Sequence, residues 1–204
     1  NNHGDITVAG EIYKNTGICG MSSSFNCAAD QCSNTGDITV SATQPADTTD
    51  YGAFYICGIA WTGNYAHQNF TNSGNITFTG QNYKNLFISG AAYAPTKALK
   101  NIHNSGTLKA NVNGLSCVLQ IGGICRVTGA AASFENCSNS GDIIFEGTSK
   151  NTRHRYSVFA SAQGTKRDSY YGSGMDPNAY GNTHDLVVLG GAQYTLGIDN
   201  LLFM

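Results

Sequence analysis

The stretch Asn34-Thr35-Gly36-Asp37-Ile38-Thr39-Val40 decides how this chain is read. Ile38 and Val40 alternate with Asp37 and Thr39, the period of two that marks a strand with one buried face. The strand is entered through Asn-x-Gly. That is a turn signal in which asparagine bonds its own backbone and glycine is expected to supply a positive φ.

The same stretch returns five more times. The copies are Asn2-His3-Gly4-Asp5-Ile6-Thr7-Val8, Asn72-Ser73-Gly74-Asn75-Ile76-Thr77-Phe78 and Asn104-Ser105-Gly106-Thr107-Leu108-Lys109-Ala110. Asn139-Ser140-Gly141-Asp142-Ile143-Ile144-Phe145 and Asn182-Thr183-His184-Asp185-Leu186-Val187-Val188 complete the set, His184 standing where the others carry glycine. Successive asparagines are 32, 38, 32, 35 and 43 residues apart. Cys32, Phe70, Ile102, Cys137 and Tyr180 keep register two residues before the asparagine. A second apolar stretch ending in small residues recurs about halfway round, as in Ile18-Cys19-Gly20, Ile56-Cys57-Gly58, Ile88-Ser89-Gly90 and Ile121-Gly122-Gly123.

Such a period holds about three short strands and their corners, without the helical half of leucine-rich, ankyrin or TPR repeats. The expected fold is all-β, a right-handed parallel β-helix of about six coils stacked at about 4.8 Å. It would form one domain over 1–204 with a longer polar insertion at about 146–181. The inward ladders would be Ile6/Ile38/Ile76/Leu108/Ile143/Leu186 and Val8/Val40/Phe78/Ala110/Phe145/Val188. The six asparagines would form a third ladder, bonding up and down the stack at a corner that otherwise buries polar groups unpaired.

Composition agrees. Of 204 residues only 24 are charged, while 25 are glycine, 21 asparagine and 3 proline, a poor mixture for helices. A net charge of −2 offers no basic field for nucleic acid, and no apolar run approaches the roughly 18 residues of a membrane span.

The Asn-Ser/Thr-Gly-Asp/Asn-Ile element, Gly122-Gly123-Ile124 and Asn136-Cys137-Ser138-Asn139 resemble the glycine-rich β-solenoid repeats of bacterial cell-surface proteins, the GLUG type. They are similar above all to those of large secreted proteins of gut Bacteroidetes. The resemblance covers nearly the whole chain outside about 146–181, and departs from the pattern at His184 and in its degenerate second-strand glycine pairs. It implies a secreted or cell-surface, adhesin-like module and brings no catalytic residue with it.

Function beyond a scaffold is expected where the period breaks. The insertion carries Lys150, Arg153, Arg155, Lys166 and Arg167 with Tyr156, Tyr170, Tyr171 and Tyr180. Guanidinium groups and tyrosines of this kind suit an anionic sugar, although a charged loop covering the stack is the plainer expectation. The second break, Tyr51 to Tyr65, holds the only tryptophan, Trp61, which aligns one coil from Tyr93. An exposed strip there would grip polysaccharide; a stacked pair covering the core is the preferred reading. The ligand-binding candidates are thus Trp61, Tyr93, Arg153, Arg155, Tyr170 and Tyr171.

The remaining chemistry is sparse. Asp5, Asp37, Asp142 and Asp185 share one registered position and read as outward, solvated carboxylates rather than calcium ligands. The seven cysteines form no CxxC pair and read as buried thiols in preference to a zinc site or disulfides. His3, His67, His103, His154 and His184 assemble no catalytic set. No cofactor and no metal is expected.

The leading expectation is a non-enzymatic surface module, a scaffold, spacer or adhesive face with polysaccharide or a surface glycoprotein as partner. The alternative is a polysaccharide lyase or glycoside hydrolase, for which Asp168 and Asp176 with the insertion's basic residues are the available supply. Asn1 lies inside a repeat, the register of a mature form or a fragment, so neighbouring domains are expected at the open strand edges.

Overall fold

The computed structural model describes residues 1–149 apart from 13–14, 44–52, 63–64, 82–84, 94–95, 116–117 and 127–132. Beyond 149 it describes the strands Arg155–Ala160, Thr165–Arg167, Tyr170–Tyr171 and Leu186–Leu189. Among these residues there is no helix, and every strand pairing is parallel.

Three sheets take up the chain in turn. The first runs through Ile6–Glu11, Ile38–Thr43, Ile76–Gln81, Leu108–Leu115, Ile143–Ser149 and Leu186–Leu189, each strand pairing the one a repeat later. The second is split into two segments in three repeats, exemplified by Ala53–Cys57 and Ala60–Thr62, and runs unbroken through Val118–Arg126. The third contains His67–Asn72 and Leu99–Asn104, with shorter strands at the same register in other repeats. This arrangement is consistent with a parallel β-helix.

The register matches the sequence expectation residue for residue. Ile6, Ile38, Ile76, Leu108, Ile143 and Leu186 are consecutive Cα partners, as are Val8, Val40, Phe78, Ala110, Phe145 and Val188. Ile38, Val40, Ile76, Phe78, Leu108, Ala110 and Ile143 are fully buried, while Thr39 and Ser41 between them face outward and are exposed. Ile56 and Ile88 from the second sheet and Phe70 and Ile102 from the third close the same core. Each buried side chain of this size contributes roughly 1.5–3 kcal/mol over its exposed state, so the like-on-like ladders hold the stack.

The asparagine ladder is formed through five members. Asn2, Asn34, Asn72 and Asn104 each donate from Nδ2 to the carboxamide oxygen of the next asparagine, at 2.7, 2.8 and 2.6 Å for the first three. Each also donates to the carbonyl oxygen of the glycine two residues on, at 2.9 Å, and Asn139 does so at 2.7 Å. Asn34, Asn72, Asn104 and Asn139 are buried, so two hydrogen bonds per amide replace the lost water. The sixth member differs from expectation: Asn139 has Tyr171 as its Cα partner, and Asn182 lies outside the described residues.

The glycines serve a different purpose from the one their turn signal suggested. Among the described glycines only Gly10 has a positive φ. Gly36, Gly74, Gly106 and Gly141 are required because a Cβ on any of them would collide with the carbonyl of the glycine one repeat before. A second glycine row faces the asparagines across the interior, where a Cβ on Gly58 would stand 2.6 Å from Asn72 Cγ and one on Gly123 2.5 Å from Asn139 Cγ. Here one backbone packs directly against one carboxamide.

The positive φ falls instead on Gln31, Asn69, Asn101 and Asn136, at 55°, 57°, 53° and 51°. These residues precede the ladder asparagines by three, and the three asparagines among them form a ladder of their own. Asn69 donates to Asp30 at 2.7 Å, Asn101 to Asn69 at 2.8 Å and Asn136 to Asn101 at 2.9 Å. Asparagine tolerates this left-handed conformation better than other residues with a side chain.

Within the span read as an insertion, three strands take places in the stack. Arg155–Ala160 pairs with Val118–Arg126, Thr165–Arg167 with Ser133–Glu135, and Tyr170–Tyr171 with Ser138–Asn139.

Candidate functional site

The outer face of the second sheet carries a hydrophobic cluster separate from the core. In Ala53–Cys57 the side chains of Phe54 and Ile56 point inward, which turns Ala53, Tyr55 and Cys57 outward. Gly58 and Ile59 bend the chain, and Trp61 on the next segment then meets Tyr55 across the bend, ring centres 5.4 Å apart. One repeat on, Phe87 stacks on Tyr55 at 5.2 Å and 18°. Tyr93 lies edge-on to Trp61 at 4.6 Å and 71°, and to Tyr55 at 5.1 Å and 66°. Edge-to-face and offset pairs of this kind each add about 0.5–1.5 kcal/mol beyond burial.

Trp61 and Tyr93 are Cα partners, as their alignment predicts. Their contact is perpendicular rather than stacked, and it covers the outer face of the sheet rather than the core. Tyr93 is 2% exposed and Phe87 6%. Trp61 and Tyr55 are half-buried and form the accessible part of the cluster. Tyr55 and Phe87 were absent from the sequence candidates. Their signal is a strand apolar on both faces, Ala53-Phe54-Tyr55-Ile56-Cys57 and Leu86-Phe87-Ile88, which reads as a fully covered strand.

The aromatic rows continue in register into polar and cationic residues. Tyr55 and Phe87 are followed by Gln120 and then Arg155; Trp61 and Tyr93 are followed by Arg126 and then Ala160. Arg155 therefore shares a sheet and a register row with the cluster. Tyr170 and Tyr171 lie on the third sheet, away from it, and Arg153 lies outside the described residues.

The third sheet offers a polar rim. Asp30, Gln68, Lys100, Glu135 and Arg167 are successive Cα partners along one row. Asp30 accepts from Gln68 Nε2 at 2.9 Å and Asn69 Nδ2 at 2.7 Å, which lowers its carboxyl below the ordinary range. Lys100 pairs with Glu135 at 2.8 Å. Asp30, Gln68 and Lys100 border a shallow groove of about 320 Å³ floored by Ala28, Ala66 and Ala98.

His67 lies beneath this rim, 2% exposed, in a triangle of rings with Phe25 and Phe70. Its Nδ1 accepts the Ala29 N–H at 3.1 Å, which puts the proton on Nε2, a buried atom with no hydrogen-bond partner. Burial lowers its pKa. The ring is a member of the core wall: its register partners are Ala29 and Leu99.

The outward carboxylates are exposed but not idle. Asp5 Oδ1 accepts the Asp37 N–H at 2.9 Å, Asp37 Oδ1 the Asn75 N–H at 2.8 Å, and Asn75 Oδ1 the Thr107 N–H at 3.0 Å. Each caps the next repeat. Among the described residues no group of three or more His, Cys, Asp or Glu side chains is placed to hold a metal ion, and no helix is long and apolar enough to cross a membrane.

The cysteines divide by location. Cys32, Cys125 and Cys137 are buried in the core as expected. Cys27 is exposed, against the expectation of burial, because it sits at a corner between the second and third sheets. Cys19 and Cys57 belong to the outer aromatic cluster instead of the core, and Cys117 lies outside the described residues.

Compared with known proteins, the chain matches no family model, no curated protein and no solved structure.

Proposed function

We propose that this chain is a non-enzymatic repeat module of an extracellular or cell-surface protein, a right-handed parallel β-helix of about six coils related to the GLUG-type bacterial repeats. Its role is that of a scaffold or spacer, with the Tyr55–Trp61 rim as an adhesive face for polysaccharide or a surface glycoprotein. One observation carries the reading. The polar side chains repeated in every unit, Asn34, Asn72, Asn104 and Asn139, are buried and spend their hydrogen bonds on each other and on glycine carbonyls. The repeated chemistry thus builds length, and each repeat adds about 4.8 Å to a rod.

The test pairs two measurements on the intact chain. A panel of polysaccharide hydrolase and lyase substrates should show no turnover; robust turnover of any of them overturns the reading. On a glycan and matrix-glycoprotein array, binding that disappears in a folded Trp61→Ala variant assigns the adhesive face, and an empty array leaves the spacer.

A further inference from the structure

Cys19 and Cys57 are Cα partners on adjacent parallel strands of the second sheet, thirty-eight positions apart in sequence, with their Sγ atoms at 2.8 Å. Neighbouring parallel strands lie about 4.8 Å apart, inside the roughly 4.4–6.8 Å separation of Cα atoms that a disulfide spans. Both side chains project from the outer face into the cluster of Tyr55, Phe87 and Tyr93. They differ in access: Cys19 is half-buried, whereas Cys57 is 1% exposed. We propose that Cys19 and Cys57 are an oxidisable dithiol, a modification site at which Cys19 receives a small-molecule disulfide and Cys57 resolves it into a clasp between two repeats. This does not depend on the functional reading above.

The chemistry assigns the order of the two steps. Hydrogen bonds from the Cys57 thiol and the Trp61 backbone N–H lower the Cys19 thiol, while burial raises Cys57 well above its ordinary value. Cys19 is therefore the thiolate that attacks. With glutathione disulfide as oxidant, the Cys19 sulfur bonds one glutathione sulfur and the other leaves as thiolate. The Cys57 thiol then gives up its proton to solvent and attacks the Cys19 sulfur, expelling the second glutathione. The dithiol loses two protons and two electrons, and the oxidant ends as two thiols. The sulfur atoms already face each other across the strand pair at 2.8 Å.

The experiment treats the reduced full chain, in native buffer, with glutathione disulfide, followed by alkylation in denaturant and peptide mapping. Expected is a linked Cys19–Cys57 peptide lacking two hydrogens, reversed by dithiothreitol, with a melting midpoint raised by roughly 5–10 °C. Cys57→Ser should keep a glutathione adduct on Cys19, and Cys19→Ser should leave Cys57 unmodified. The proposal is overturned if Cys27, exposed in the same sample, takes up glutathione while Cys19 and Cys57 remain reduced. It is equally overturned if the linked peptide forms only after the chain is unfolded in urea.

Discussion

Gly58 and Asn72 face each other so closely that a methyl group on Gly58 would stand 2.6 Å from the Asn72 carboxamide carbon. The same methyl would collide with the Gly90 carbonyl of the next repeat. Neither neighbour can yield, because both belong to backbone or to the hydrogen-bonded ladder. Gly58→Ala should therefore cost at least about 3 kcal/mol or prevent folding. Gly17→Ala supplies the comparison, since its added methyl would only touch the Trp61 ring at 3.6 Å. Urea unfolding of the two variants should separate them by about 2 kcal/mol or more.

Asn72→Leu removes the donor that serves both Gly74 and Asn104. The stranded buried acceptors cost about 1–3 kcal/mol each, so a loss of about 2–6 kcal/mol is expected in denaturant unfolding. Asn72→Asp should be as damaging at neutral pH, because a carboxylate donates nothing to the Gly74 oxygen. It should be partly relieved in acid, where the protonated group regains one donor. Equal stability of Asn72→Leu and the parent chain would remove the ladder from the account of this fold.

Phe54 packs at 5.2 Å from Phe78 and is fully buried. Phe54→Ala should cost about 3–5 kcal/mol by the cavity it leaves. Trp61→Ala, on the outer cluster and half-buried, should cost less, about 1–3 kcal/mol. A thermal-melt series on both variants orders the two clusters by their contribution.

His67 makes stability depend on pH. Burial holds its pKa below the ordinary value of about 6.5, and His103 shifts in the same direction for the same reason. The unfolded chain therefore binds protons that the folded chain refuses. Stability is fully present above about pH 6.5 and declines as pH falls below it, levelling once the folded histidines themselves protonate. Urea midpoints measured from pH 7.5 to 5 should fall. The slope should flatten in His67→Leu, which places at this position the residue that Leu99 already is one repeat on.

How much of this was legible beforehand follows from range. The period-two pattern that opens each repeat specified the first sheet's register from Ile6 through Leu186, since stacking like on like needs only the spacing of repeats. The asparagine ladder was legible for the same reason. The second ladder, Asn69, Asn101 and Asn136, is equally periodic, yet its left-handed backbone carries no apolar mark by which a sequence pattern would disclose it. Tyr55 and Phe87 were missed because their strands are apolar on both faces and look like ordinary core.

Local periodicity thus determined that the chain is built of parallel strands piled in repeats, because each strand's pattern encodes its own buried face. The tertiary structure alone decided what the glycines are for, which face the cysteines occupy and where the rows within 146–181 attach. Those depend on how near one repeat's backbone comes to the next, and on the bend at Gly58 that brings Tyr55 against Trp61. Gly58 meets Gly90 from thirty-two residues away and Asn72 from fourteen, and Tyr55 meets Trp61 only through the bend, so no single strand's pattern carries these distances.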